Sequence, residues 1–139
     1  MKDKYLRFGD YIRKKRLADP RELTMKDVAD RLDVSFSYVG AVENNRKPPF
    51  DGGKLEALAE FLNLSEEDTA MMFDLAGRES REVPHDLEET LMYEDVGDLI
   101  RYAARQTKAG YIKEEDWKTF IREKEAKKLE QQKGAAEDG

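Results

Sequence analysis

Apolar side chains recur along this chain at intervals of three and four residues, the spacing that places them on one face of an α-helix. Eight such stretches follow one another from Leu6 to the Lys- and Glu-rich C-terminus, and no run alternates as a half-buried strand would. We therefore predict an all-α fold.

Five of the predicted helices lie within residues 6–76 and form the first predicted domain, residues 1–77. Thr24, Ser35 and Ser65 are predicted to begin the second, third and fifth helices, because their hydroxyls can accept a hydrogen bond from a free amide of the first turn. Gly77 is predicted to end the fifth helix.

The remainder, residues 78–139, is predicted to be a smaller C-terminal helical extension. Its first six residues are polar and resemble a connector, and Pro84 suits the first position of a short sixth helix. A seventh helix is expected to stop near Gly110 and an eighth to start near Lys113. The stripe formed by Trp117, Phe120 and Ile121 is more typical of a core than of a ligand site.

The net charge of −6 is unevenly distributed. Residues 1–50 hold twelve Lys and Arg against eight Asp and Glu, a net charge of +4, and the remainder carries −10. A basic segment can attract a polyanion in spite of a negative total, because salt screens charges beyond about 10 Å. Uneven charge can also arise by chance in a charge-rich sequence, so charge alone does not decide between these alternatives.

Other features limit the classes of function. The chain has no cysteine, which excludes disulfides and cysteine-ligated zinc and fits a reducing compartment. No apolar run has the length of a membrane span and the polar N-terminus does not resemble a signal peptide, so we expect a cytoplasmic protein without membrane contact. Common catalytic motifs are missing, and His85 stands alone as a surface residue, so we expect no enzyme activity, no metal and no cofactor.

The most informative stretch is residues 24–49, where a short helix, a tight turn and a second helix are predicted in succession. This is the helix-turn-helix arrangement, whose second helix enters the DNA major groove, a channel about 12 Å wide.

The residues of this stretch make the comparison specific. The segments LTMKDVADRLDVS (residues 23–35) and YVGAVENNRKPP (residues 38–49) resemble the helix-turn-helix of the lambda-repressor-like family of transcription regulators, also called the XRE or Cro/CI family. The similarity extends over roughly residues 6–76. It implies a five-helix DNA-binding domain.

The resemblance also implies roles for individual residues. Four side chains fall at positions that face the bases: Phe36, Ser37, Gly40 and Ala41. Four fall where the family contacts phosphates: Ser35, Asn44, Arg46 and Lys47. Arg16 and Glu43 match a buried ion pair that joins the first and third helices. A serine hydroxyl can serve either type of base, and the methyl of Ala41 suits a thymine methyl.

Three positions depart from the family pattern. Met25 replaces a glutamine that often contacts phosphate, while Asp33 and Asn45 replace glycines in the two turns. Asp and Asn are the best substitutes for glycine at positive φ, so we expect both turns to survive. The base-facing set holds no Arg or Gln, and we therefore expect DNA shape and phosphate contacts to contribute much of the recognition.

Simpler interpretations stay open for some of these residues. Gly40 lies in the middle of a predicted helix, where glycine is less stable than alanine by about 1 kcal/mol. Its small size either allows close approach to DNA or allows packing against a neighbouring helix. Arg46 and Lys47 could form an ordinary solvated corner instead of a phosphate contact.

We predict a transcription regulator, by default a repressor, that binds double-stranded operator DNA as a homodimer with half-sites about 34 Å apart. The C-terminal extension is the candidate surface for dimerisation or for a protein partner, or else it closes over the first domain. Two alternatives remain. One is an interaction adaptor that uses the same scaffold without DNA, and the other is an antitoxin or immunity regulator that binds DNA and a partner protein.

Overall fold

The computed structural model describes residues 6–138, which contain seven α-helices and no β-strand. The helices are α1 (Phe8–Ala18), α2 (Met25–Leu32), α3 (Phe36–Glu43), α4 (Gly52–Phe61), α5 (Glu66–Ser80), α6 (Asp95–Lys108) and α7 (Glu114–Asp138). The predicted all-α fold is therefore confirmed. No helix within the described residues has the length and apolar character needed to cross a membrane.

The chain divides into two compact units, Met1–Glu88 and Glu89–Gly139, which we call the N-terminal and C-terminal units. The predicted helix end at Gly77 is wrong, because α5 continues to Ser80. Arg81 takes the left-handed conformation that ends the helix, with φ of 56°. Gly77 instead allows the returning chain to pass closely, since a Cβ there would lie 2.9 Å from the carbonyl oxygen of Glu82.

The core of the N-terminal unit is formed by α1 to α5 together with Phe50, which lies between α3 and α4. The ring of Phe50 packs edge-on against Phe8 of α1 and Tyr38 of α3, with centroid distances of 6.2 and 5.6 Å. The largest fully buried side chains are Phe8, Leu58, Met72, Leu75, Val39 and Val42. This core fixes α3 against α1 and α2, which determines the face that α3 leaves at the surface.

The predicted short sixth helix after Pro84 is present, but it is not a regular α-helix. The chain is helical from residue 85 to residue 93, as a 3₁₀ turn at His85–Leu87 that continues into a π-helical turn at Glu89–Tyr93. Within the C-terminal unit, α6 begins so close to the π turn that a Cβ on Gly97 would lie 2.6 Å from the carbonyl oxygen of Leu91. The guanidinium of Arg101 donates to that same carbonyl. Arg101 thus bonds to a backbone oxygen that a regular α-helix would have engaged internally.

The C-terminal unit buries little of its apolar surface. Among its described residues only Gly97 is buried, while Leu99 and Tyr102 of α6 are 70% and 64% exposed. The interpretation of Trp117, Phe120 and Ile121 as a core stripe is wrong, because Phe120 and Ile121 are about half exposed. The indole nitrogen of Trp117 donates to the Thr107 hydroxyl at 2.9 Å, and beyond Trp117 the helix is exposed as far as residue 133.

Candidate nucleic-acid interface

The first helix of the candidate motif, α2, begins at a reciprocal cap. The hydroxyl of Thr24 accepts from the Asp27 amide at 3.1 Å, and the Asp27 carboxylate accepts from the Thr24 amide at 2.8 Å. The hydrogen bond that the Thr24 amide donates to the carboxylate is the main cause that lowers the pKa of Asp27 below its usual range. The two bonds of the cap satisfy two backbone amides and so fix where α2 starts.

The turn between α2 and α3 is closed at Asp33, in the left-handed conformation with φ of 55°. The amide of Val34 donates to Ala29 and that of Asp33 to Asp30, the pair of bonds found at many helix ends. Ser35 follows at once and caps α3 by accepting from the Tyr38 amide at 3.1 Å. One left-handed residue therefore ends α2 two positions before the cap that starts α3.

The exit from α3 is held by Asn45, which has φ of 59°. Its side-chain oxygen accepts from the Gly9 amide, and its side-chain nitrogen donates to Asp10, both at 3.0 Å. Gly9 has to be a glycine for this contact, because a Cβ would lie 2.3 Å from the carbonyl oxygen of Val42. The asparagine at this turn therefore ties the start of α1 to the end of α3, which the sequence pattern did not reveal.

Arg16 of α1 and Glu43 of α3 form a two-pronged ion pair, with nitrogen–oxygen distances of 2.8 and 2.9 Å. Both residues are buried, with 8% and 3% of their surfaces exposed, and Arg16 also donates to the Leu23 carbonyl. The hydrogen bonds to Glu43 raise the pKa of Arg16. The pair joins α1, α3 and the approach to α2 at one point.

All four predicted base-facing residues lie on the part of α3 that the core leaves open. Phe36 is 55% exposed, Ser37 is exposed, and Gly40 and Ala41 are partly exposed. A Cβ added to Gly40 would meet only the Met25 sulfur, at an ordinary contact distance of 3.8 Å. Packing within the protein therefore does not require glycine at this position.

The four predicted phosphate-contacting residues border the same face and are all exposed. The Ser35 hydroxyl is already engaged as the cap of α3. The amides of Arg46 and Lys47 both donate to the Ala41 carbonyl, at 2.8 and 3.2 Å. Two cationic side chains are therefore held within one turn of the predicted base-facing residues.

The geometry defines a five-helix unit with a helix-turn-helix at α2 and α3. Comparison with family models agrees, since residues 12–68 match the Helix-turn-helix family. Residues 12–68 therefore form a DNA-binding domain of the XRE type, and the family resemblance drawn from the sequence is confirmed. No curated protein and no solved structure matches the chain at a significant level.

Within the part of the chain whose side chains the structure describes, no three or more His, Asp or Glu side chains are grouped in a way that could hold a metal ion. A set of guanidinium and ammonium groups lies near the exit of α3.

Proposed function

We propose that the protein is an operator-binding transcription repressor that inserts α3 into the major groove. The observation that carries the proposal is the open face of α3, where small residues at positions 37, 40 and 41 stand beside the exposed ring of Phe36 and the following turn presents Arg46 and Lys47. A helix with such a face can approach base edges closely, while the two cations neutralise phosphates at the groove edge. An occupied operator would exclude polymerase.

We also propose that the protein acts as a homodimer through its C-terminal unit. A single short α3 with no Arg or Gln on its base-facing side offers little direct readout, and two copies on adjacent turns of DNA would combine their affinities. The C-terminal unit exposes Leu99, Tyr102 and Phe120, which a self-complementary contact about a two-fold axis would cover. Light scattering at tens of micromolar should therefore report a dimer.

The DNA proposal is tested by fluorescence anisotropy with a randomised duplex pool at two salt concentrations, followed by sequencing of the bound fraction. We expect salt-sensitive binding that enriches a palindrome. Ala41→Glu should abolish binding, because it places a carboxylate against the groove. Ala18→Glu makes the same change at the exposed end of α1 and should leave binding unaltered.

The outcomes separate the proposal from its rivals. Absence of binding at low salt would contradict it and favour an adaptor, for which the exposed apolar residues of the C-terminal unit are the available surface. If the Ala41→Glu variant binds DNA as strongly as the Ala18→Glu variant, α3 does not contact the DNA. Copurification of a second protein, together with operator binding, would favour the antitoxin or immunity regulator.

A further inference from the structure

A cationic cleft of about 500 Å³ opens beside the exit of α3 within the N-terminal unit. Its walls come from three places: the start of α1, the turn after α3 and the end of α5. The charged residues that line it are five cations and one carboxylate: Arg7, Arg46, Lys47, Arg78, Arg81 and Glu79. Only Arg46 and Lys47 of this set were singled out by the sequence pattern.

The single carboxylate that lines the cleft is already engaged by groups of the protein. Glu79 pairs with Arg7, and its second oxygen accepts from the Phe8 amide at 2.7 Å, at the first turn of α1. Arg78 donates to the Leu6 carbonyl at 2.7 Å, which fixes its guanidinium at the cleft wall without neutralising it. Within the described residues, Arg46, Lys47 and Arg81 have no carboxylate partner.

We propose that this cleft holds the sugar–phosphate backbone of DNA where it leaves the groove occupied by α3, so that the end of α5 belongs to the DNA interface. The inference rests on the proposed DNA-binding function. Continuity supports it, because Arg46 and Lys47 border both the cleft and the exit of α3. Several cations set along an open cleft suit a continuous polyanion, whereas small-molecule sites are mostly apolar and enclose their ligand.

Arg81 provides the sharpest test, because it is exposed, lies outside the predicted helix-turn-helix and has no carboxylate partner among residues 6–138. Arg81→Asn removes the charge and keeps a residue that tolerates φ of 56°. We expect affinity to fall to a similar degree on all DNA sequences, and the slope of log K against log salt to lose about one unit. Arg31→Gln, on the exposed side of α2, is the control: its guanidinium already has a carboxylate partner, Glu60 at 3.9 Å, and its loss should keep the wild-type slope.

The position of the DNA can be read directly, because the chain has no cysteine and a single introduced thiol is labelled uniquely. An iron chelate attached to Glu82→Cys, next to Arg81, should cleave bound DNA at a defined position near the groove edge. The same reagent on Arg31→Cys should cleave it much less. Melting curves of each variant establish that the fold is intact.

Failure of this inference can be distinguished from failure of the proposed function. If wild type binds DNA and Ala41→Glu does not, while Arg81→Asn keeps the wild-type salt slope, α3 is in the groove and the cleft proposal is overturned. Equal cleavage from positions 82 and 31 would overturn it as well. Stabilisation by inorganic pyrophosphate that Arg81→Asn abolishes, with an unchanged DNA salt slope, would assign the cleft to a small anion instead.

Discussion

Single residues connect helices that are distant in sequence, and the Arg16–Glu43 pair is the clearest case. Both groups are buried, and the pair connects α1 to α3 through two short hydrogen bonds. A buried pair adds little net stability over apolar residues of similar size, whereas the loss of one partner leaves an unpaired charge inside the protein. The pair therefore acts mainly as a device that orients α3.

Breaking this pair from one side should be more costly than replacing it. We expect Glu43→Ala to lower the free energy of unfolding by about 3–5 kcal/mol, since Arg16 is left buried without its partner. The double variant Arg16→Met with Glu43→Leu should lose clearly less. Urea denaturation of the two variants measures the difference, and equal losses would show that the charge pairing is not what matters.

Asn45 and Asp33 allow a matched comparison of side chains at positive φ. Asn45 makes two side-chain hydrogen bonds to the start of α1, whereas the Asp33 side chain makes none within residues 6–138. Asn45→Gly should therefore cost about 1–3 kcal/mol for two lost bonds. Asp33→Gly should change stability by less than about 1 kcal/mol. Similar thermal shifts for both variants would contradict the role given to Asn45.

At the scale of elements, α3 carries a local conflict between stability and the proposed binding. Gly40 is unfavourable in a helix, and a Cβ at that position would meet only the Met25 sulfur at 3.8 Å. Sequences tend to break a local rule where function requires it. The open space above Gly40 is therefore an argument that its small size serves an outside partner.

The substitution Gly40→Ala should separate the effect of this residue on helix stability from its effect on DNA binding. We expect it to stabilise the fold by about 0.5–1 kcal/mol, through helix propensity alone, and to weaken DNA binding because the added methyl intrudes on the groove contact. Thermal melts and anisotropy on the selected operator measure the two quantities. A stabilised variant with unchanged affinity would show that Gly40 does not approach DNA.

At the scale of the whole molecule, the two units differ in how far their apolar side chains are buried. The N-terminal unit buries a continuous core formed by five helices and Phe50, whereas the C-terminal unit leaves most of its large apolar side chains exposed. Large exposed apolar patches in soluble proteins usually mark interaction surfaces. This contrast is the physical basis for the proposed dimer.

A double charge substitution on α6 should dissociate that dimer. Leu99→Glu with Tyr102→Glu places two carboxylates on the exposed apolar face, and we expect a monomer by light scattering. Affinity for a palindromic operator should fall strongly, while affinity for a single half-site stays the same. Arg105→Glu, on the exposed surface of the same helix, is the control. A dimer that survives the double change would place the interface elsewhere.

The all-α class, the helix-turn-helix and the five helices of the N-terminal unit can be predicted from the amino-acid sequence alone. These features follow from local physics. Thr24 and Ser35 cap helices through bonds to residues three positions away, and the spacing of Val28, Ala29 and Leu32 defines a buried face. The family pattern at residues 23–49 added candidate roles for surface residues, and those roles remain predictions.

Features that depend on residues distant in sequence emerge only from the folded chain. The end of α5 moved from Gly77 to Ser80 because the chain after Arg81 folds back over the glycine. Asn45 connects the end of α3 to α1 through hydrogen bonds to Gly9 and Asp10, which are 36 and 35 positions away. The cationic cleft unites Arg7, Lys47 and Arg81 from three separate segments, which no local pattern connects. Periodicity reports which face of a helix is buried, whereas only the packed chain reveals which segments meet.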